Sequence, residues 1–207
     1  MCFDSGIQTG IVGRCYGMLQ DQEEQLEKLT AATLLRVVDF LKFSETKNGA
    51  LVTFASAWVL GLIALLSSEK PLPFGFRNAL VLSIPFFLAA ALFGLWSFFP
   101  KIRLTAFTRL HSVRHEPNLL FFGDVSSMKI DEYANSVRKR YLPPEGHAIS
   151  EDYMADLCVQ ISVNSSIAIR KFRLFNRGLY CVLGALAILA IPILQFWLVT
   201  ARSLIWD

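Results

Sequence analysis

The residues best suited to contact a charged ligand lie in one run of basic side chains. Arg138, Lys139 and Arg140 are consecutive and are followed directly by Tyr141. Guanidinium and ammonium groups bind phosphate oxygens, and a tyrosine ring can stack on a nucleobase. The same run can instead form a solvated helix end or a contact with lipid headgroups. The sequence leaves both interpretations open.

A second candidate pair is Asn164 and Lys171. Seven residues separate them, so in a helix both lie on one face, where an amide and an ammonium group could contact a small phosphorylated ligand. Asn164 has a second interpretation, because an amide in an apolar helix seam can fix the register between helices. The surrounding cluster, residues 170–173, is basic and close to an apolar segment, which favours an anchor at a membrane interface.

Patterns typical of catalysis or metal binding do not stand out in this chain. There is no phosphate-binding glycine loop, no HExxH pair and no GxSxG nucleophile motif. The histidines are scattered, and the acidic pairs Asp131-Glu132 and Glu151-Asp152 lie at predicted helix starts, where they complement the helix dipole. The four cysteines show no CxxC spacing, which predicts reduced thiols and no metal site. We therefore predict that the protein is not an enzyme and needs no cofactor.

The candidate residues lie in segments that flank three uncharged apolar windows, at residues 50–66, 79–100 and 179–200. A helix needs about 20 apolar residues to cross a bilayer. Of the 207 residues 54% are hydrophobic, and a chain of this length cannot bury three such helices in a soluble core. The predicted fold class is a mainly α membrane protein with three transmembrane helices.

The distribution of basic residues predicts the orientation of the chain. Residues 101–178 carry twelve Lys and Arg and residues 1–49 carry five, whereas the 67–78 link carries two. The positive-inside rule places both basic segments in the cytoplasm. The net charge of +3 is modest and gives little support for nucleic-acid binding. The predicted divisions are an N-terminal cytoplasmic helix (1–48), two spans with a short outer link (49–100), a cytoplasmic sensor segment (101–178), a third span (179–201) and a tail (202–207).

Shorter patterns subdivide the cytoplasmic segments. Residues 17–48 show helical periodicity, with a possible kink at residues 47–49, and 129–141 read as a helix with a basic end. Residues 118–122, NLLFF, read as a short buried strand or an apolar plug that ends in the turn Gly123-Asp124. Ser150 is a good N-cap for a long helix that runs directly into the third span.

The order of these elements resembles the transmembrane effector family of the Pycsar anti-phage defence systems of bacteria. The resemblance covers most of residues 20–200. Two motifs carry it: N-x-x-FFG, here Asn118 with Phe121, Phe122 and Gly123, and N-S-x-I-A-x-x-K, here the helix from Asn164 to Lys171. Lys129 departs from the pattern, because a better helix cap is expected at that position.

The resemblance implies a function. In such systems a pyrimidine cyclase makes cyclic CMP or cyclic UMP on infection, and the effector senses this messenger and impairs the inner membrane, so that the cell stops growing or dies. It implies a homo-oligomer, because three spans cannot enclose a pore. The expected ligand-binding residues are Asn118, Asp124, Arg138, Arg140, Tyr141, Asn164 and Lys171. The alternative is a membrane-anchored helical scaffold that recruits a cytoplasmic partner.

Overall fold

The computed structural model describes residues 5–69, 75–99 and 116–206, and almost all of them are helical. Three long helices dominate: α1 (Ser5–Leu66), α2 (Phe76–Phe98) and α5 (Glu151–Trp206). Two shorter helices precede α5: α3 (Phe122–Val125) and α4 (Ile130–Tyr141). No strand occurs in these residues. The predicted mainly α fold with three long apolar helices is confirmed.

Helix α1 is longer than the sequence predicted. It begins at Ser5 instead of residue 17 and continues through residues 47–49 to Leu66. The segment contains no proline, and Asn48 at the suspected kink is fully buried, with its side-chain amide bonded to the Ser44 carbonyl of the preceding turn. Packing therefore supports the helix where its local sequence is weakest.

The segment Asn118–Phe122 is not a strand. Residues 118–120 form a turn, and Phe122 begins the one-turn helix α3. Short polar side chains satisfy the local backbone: the Asn118 side-chain oxygen accepts from the Leu120 N–H, and the Asp124 carboxylate accepts from the Asn118 N–H. Such bonds favour turns over strands. Only Leu119 is buried among the apolar residues of this segment, whereas Phe122 is largely exposed.

Gly123 is needed for space and not for an unusual backbone conformation. Within the described residues, positive φ angles occur at Gly75 and Gly146 only. A Cβ on Gly123 would overlap the ring of Phe121. The glycine thus lets an aromatic side chain fold back onto the first turn of α3.

The chain forms two compact units, each built from separate parts of the sequence. Within the described residues, the first unit comprises 5–40 and 116–166, and the second comprises 41–69, 75–99 and 167–206. Helices α1 and α5 contribute to both units.

The second unit is an apolar three-helix bundle. Its core includes Phe87 and Leu62, and the small residues Ala55, Ala90 and Ala185 are fully buried. Small side chains let helices approach closely, as in membrane bundles. Many large apolar side chains remain exposed around the bundle, which is the arrangement expected when lipid covers them.

Two glycines mark the closest helix contacts of this bundle. A Cβ on Gly94 would lie 2.6 Å from Val52 Cγ2, and one on Gly178 would lie 2.5 Å from Leu51 Cδ2. Each would also lie 3.2 Å from a backbone carbonyl oxygen of a neighbouring helix, which cannot rotate away as a side chain can. Both positions therefore need glycine for close packing.

Candidate functional site

The polar centre of the first unit is the buried carboxylate of Asp156 on α5. The Tyr141 hydroxyl donates to Asp156 Oδ2 at 2.6 Å, and Arg140 Nη2 donates to the same oxygen at 3.2 Å. Arg140 and Tyr141 are consecutive at the end of α4, so one helix end supplies both donors. A buried carboxylate needs such compensation, because burial without partners would strongly disfavour its charge.

Arg140 makes further contacts that hold its side chain in place. Its Nη1 donates to the Pro117 carbonyl at 2.5 Å, and its Nε lies 3.4 Å from Glu116 and 3.9 Å from Asp152. The side chain is only 11% exposed. Arg140 therefore acts in this structure as an internal connector between α4, α5 and the turn before α3.

Asn118 completes the connection between this turn and α5. It is 2% exposed, and its Nδ2 donates to the Asp156 backbone carbonyl at 3.2 Å. Asp124 closes the turn by accepting from the Asn118 N–H at 2.9 Å. Both polar side chains are thus occupied by backbone groups of their own chain.

The Tyr141 hydroxyl stays protonated in this setting. Burial raises its pKa above the usual 10, and the hydrogen bond to the Asp156 carboxylate raises it further. The ring also packs edge-on against Tyr153 at 5.3 Å between centroids. Tyr141 therefore functions as a hydrogen-bond donor.

The turn before α5 is attached on two sides. Ser150 accepts from the Tyr153 N–H at 3.3 Å, which confirms it as the N-cap, and its hydroxyl donates to the Arg140 carbonyl. Glu23 of α1 accepts from the Ala148 N–H at 2.7 Å and lies 2.7 Å from His147 Nδ1. These hydrogen bonds lower the pKa of Glu23.

The exposed cations of the first unit lie beside this network. Arg138 and Lys139 are exposed in the last turn of α4, immediately before Arg140. Of the basic run, these two side chains are the ones whose charged groups face solvent. They can take an anionic ligand without breaking the contacts of Asp156.

The remaining predicted pair is divided between the two units. Asn164 is half-buried on α5 in the first unit, whereas Lys171 belongs to the second. Lys171 Nζ donates to Glu45 at 2.6 Å and lies 5.8 Å from the Phe98 ring centroid. Its backbone carbonyl accepts from Asn48. Lys171 therefore already has a counter-ion.

The structure thus brings together Asn118, Asp124, Arg140 and Tyr141 and places Arg138 next to them, whereas Lys171 belongs to the second unit. Sequence reasoning missed Asp156 as the partner that joins these residues and Ser150 as the donor to the Arg140 carbonyl. It also missed Glu23 as the partner of His147 and Ala148. Asp156 carries a weak signal in the sequence, as an acidic side chain beside Leu157 on the apolar stripe of a helix. Among the described residues, no group of His, Cys, Asp and Glu is arranged to bind a metal ion.

Comparison with known proteins places the chain in a family context. The domain of Pycsar effector proteins matches residues 29–199. The chain is 38% identical over 167 residues to the Pycsar effector protein RsPycTM of a Rhizobium species, covering 80% of this chain and 93% of that protein. No solved structure shows a significant match.

Proposed function

Because the chain belongs to the Pycsar effector family of anti-phage defence proteins, we propose that it senses cyclic CMP or cyclic UMP and then disrupts the bacterial inner membrane. The protein is a membrane protein with three helices long and apolar enough to span a bilayer. The disruption stops growth of the infected cell or kills it. In this proposal the nucleotide is an activating ligand made by a partner cyclase, and the effector performs no catalysis.

One observation carries the proposal: α1 and α5 each run without interruption from the polar unit into the apolar bundle. A helix transmits a rotation or shift along its axis better than a loop does. A ligand that binds two states of the first unit with different affinities can therefore bias the packing of the spans. The effector has no need of a separate coupling domain.

The phosphate of the nucleotide is proposed to contact Arg138 and Lys139. Both are exposed, and they lie next to a helix end whose position depends on Asp156. Arg140 can contact the phosphate only by giving up part of its interaction with Asp156. Such an exchange of carboxylate for phosphate would loosen α4 from α5, which gives the messenger a route to the conformational change.

The orientation follows the distribution of basic residues. We place the first unit in the cytoplasm, where a soluble messenger would be produced. Copies of the protein are expected to assemble, because three helices cannot enclose a water-filled pore.

Binding of labelled cyclic CMP and cyclic UMP to the detergent-purified protein tests the sensing step, with cyclic AMP and cyclic GMP as controls. Selective pyrimidine binding is expected in the wild type. The double variant Arg138→Ala, Lys139→Ala should bind several-fold more weakly. Lys129→Ala is the matched control, because it removes an exposed cation at the other end of the same helix.

Dye release from vesicles tests the disruption step. Release should require the bound pyrimidine nucleotide and should fail in the double variant at concentrations that saturate the wild type. A folded protein that binds no cyclic nucleotide would contradict the sensing proposal. Exposed apolar side chains on α1 would then favour the alternative, a membrane-anchored scaffold.

A further inference from the structure

One face of α5 carries two arginines and a tyrosine where the third apolar window begins. Arg173, Arg177 and Tyr180, here called the basic stripe, are all exposed, Tyr180 to 72%. They lie within about 60° of one another around the helix, at about 100° per residue. The buried bundle residues Val182 and Ala185 lie about 110° or more from the centre of the stripe. The stripe therefore faces away from the core of the bundle.

The basic stripe lies at the level of the lipid headgroups. As a helix, the apolar window 179–200 extends about 33 Å, which matches a hydrocarbon core of about 30 Å. Arg177 precedes this window by about 3 Å and Arg173 by about 9 Å, at about 1.5 Å per residue. Headgroups occupy about 5–8 Å beyond the hydrocarbon, and the long arginine side chains can direct their charged ends toward them. Tyr180, just inside the window, is a residue type enriched at this boundary.

Contacts within the second unit place the ends of the other two spans at the same level. Lys171 Nζ lies 5.8 Å from the ring centroid of Phe98, the last residue of α2. Lys47 Nζ of α1 lies 5.4 Å from the ring centroid of Phe175 on α5. Trp96 of α2 is 57% exposed, and exposed tryptophan is typical of the membrane–water interface. All three helices therefore reach the headgroup level at this end of the bundle.

This end of the bundle has more cations than acids. The described residues at this level are 41–49, 96–99 and 167–178. Their cations are Lys42, Lys47, Arg170, Lys171, Arg173 and Arg177. The one acid among them is Glu45, and Lys171 Nζ already donates to it at 2.6 Å. Neither Arg173 nor Arg177 has a hydrogen bond or ion pair with another described residue, so both guanidinium groups can take an external anion.

The spacing of the two arginines suits a single phosphate group. Side chains four residues apart on a helix have Cβ atoms about 5–6 Å apart, so Arg173 and Arg177 can reach the same phosphate. Two like charges at this spacing destabilise a helix when no anion lies between them. Guanidinium groups bind phosphate oxygens through paired, charge-assisted hydrogen bonds. A phosphate at this position therefore replaces a repulsion by two attractive contacts.

The surroundings of the basic stripe select a phospholipid over a soluble phosphate. Ala187 and Ile191 continue the same face of α5 into the apolar window, and both are exposed, Ile191 to 56%. A ligand that covers this face has an apolar part beside them and a phosphate beside Arg177. A net negative headgroup is favoured over a zwitterionic one, because the ammonium group of the latter offsets the attraction to the arginines.

We propose that Arg173, Arg177 and Tyr180 bind the headgroup of an anionic glycerophospholipid in the leaflet at this end of the bundle. The two guanidinium groups contact the phosphate oxygens, and the Tyr180 hydroxyl donates to an oxygen of the same lipid. The bound lipid fixes the level at which α5 enters the bilayer. The proposal rests on membrane insertion and does not depend on the nucleotide.

Lipid retained by the full-length protein through gel filtration in a non-ionic detergent tests the site. The probes are phosphatidylglycerol and phosphatidylcholine with the same acyl chains, and the wild type should retain phosphatidylglycerol preferentially. The double variant Arg173→Gln, Arg177→Gln should lose most of this preference, since each cation near an anionic lipid contributes about fivefold. Arg77→Gln with Arg202→Gln is the matched control, because it removes two exposed arginines from the other end of the bundle.

Preferential retention by the wild type and the control, but not by the stripe variant, supports the proposal. Equal retention of the two lipids by the wild type overturns it without reference to any variant. An equal loss in the control overturns it too, because net charge would then explain the binding. Arg173→Lys with Arg177→Lys keeps both charges and should retain more phosphatidylglycerol than the glutamine pair, and equal retention by the two contradicts recognition by these cations.

A competition experiment distinguishes a lipid from a soluble anion. Inorganic phosphate in the wash buffer should displace no more phosphatidylglycerol than sodium chloride of the same ionic strength does. Displacement by phosphate alone would assign the stripe to a soluble anion and overturn the lipid site.

No nucleotide is present in these experiments, so the two proposals can fail separately. Lipid selectivity in a protein that binds no cyclic nucleotide contradicts the messenger alone. Selective nucleotide binding without lipid selectivity contradicts the lipid site alone.

Discussion

At the residue scale, the molecule depends on one buried acid that accepts from two neighbouring donors. Asp156 receives hydrogen bonds from Arg140 and Tyr141, and its backbone carbonyl receives one from Asn118. These contacts join α4, α5 and the turn before α3. The residues that could read a ligand are therefore positioned by a carboxylate that does not face solvent.

Asp156→Asn should lower the stability of the protein by about 2 kcal/mol, because it leaves the Arg140 guanidinium buried without its main counter-ion. Glu116 and Asp152 lie close enough to offset part of the loss. The unfolding midpoint in detergent, together with hydrogen exchange of residues 116–166, measures the effect. Asp21→Asn, at an exposed position of α1, should change neither quantity.

The lowered pKa of Glu23 predicts that its contribution to the free energy of unfolding depends on pH in the acid range. Hydrogen bonds from His147 and Ala148 lower its pKa below 4.5, so the folded state holds the charged form more tightly than the unfolded state does. The contribution is complete above the unfolded pKa and is lost as pH falls through the lower, folded value.

Glu23→Gln should therefore be less stable than wild type at pH 7, and the difference should shrink as pH falls below about 4.5. Thermal midpoints across this pH range measure it. Glu24→Gln serves as control, because Glu24 makes only an exposed contact with Lys28. A difference that stays constant with pH would contradict the assigned contact.

At the element scale, the three long helices depend on small residues where they touch. Gly94 and Gly178 bring backbones close enough that a Cβ would overlap a neighbouring side chain. The benefit is van der Waals contact between helices, which lipid does not supply in the same geometry. The bundle is therefore stabilised by close packing of the helix backbones as well as by the apolar character of the side chains.

Gly178→Val should destabilise the bundle by about 1–3 kcal/mol, the usual cost of overpacking a close contact. Gly61→Val is the matched control, since a Cβ at Gly61 meets nothing within 4 Å. Thermal aggregation of the two variants in the same detergent gives the comparison. An equal loss of stability in the two variants would show that the loss comes from the helix propensity of valine and not from the close contact at Gly178.

At the scale of the whole molecule, the continuous helices α1 and α5 are the proposed link between nucleotide sensing and membrane disruption. A ligand effect on the first unit can reach the spans through these helices. The proposed coupling therefore depends on the integrity of a helix between the units and not on any one contact.

Ile169→Pro should retain nucleotide binding and lose nucleotide-dependent dye release. Ile169 is 52% exposed on α5, and proline there removes a helix hydrogen bond at a cost of about 3 kcal/mol. Ile169→Ala keeps the helix and should release dye as wild type does. Release by the proline variant at wild-type level would argue that α5 does not carry the signal.

The sequence alone determined the helical class, the three apolar helices, the N-cap at Ser150 and the family resemblance. These features depend on local composition, periodicity or short motifs, so they can be read without knowing which segments meet. The predicted beginning of α1 at residue 17 was wrong, since the helix begins at Ser5. The strand alternative at residues 118–122 was also wrong, because turn formation there depends on the side-chain bonds of Asn118 and Asp124.

Only the tertiary structure decided which charged groups share partners. Tyr141 and Asp156 are 15 residues apart, Glu23 and His147 are 124 apart, and Glu45 and Lys171 are 126 apart. No local pattern specifies such pairs, because each partner would be equally acceptable in solvent. Folding alone places Arg140 against a carboxylate and leaves Arg138 facing solvent.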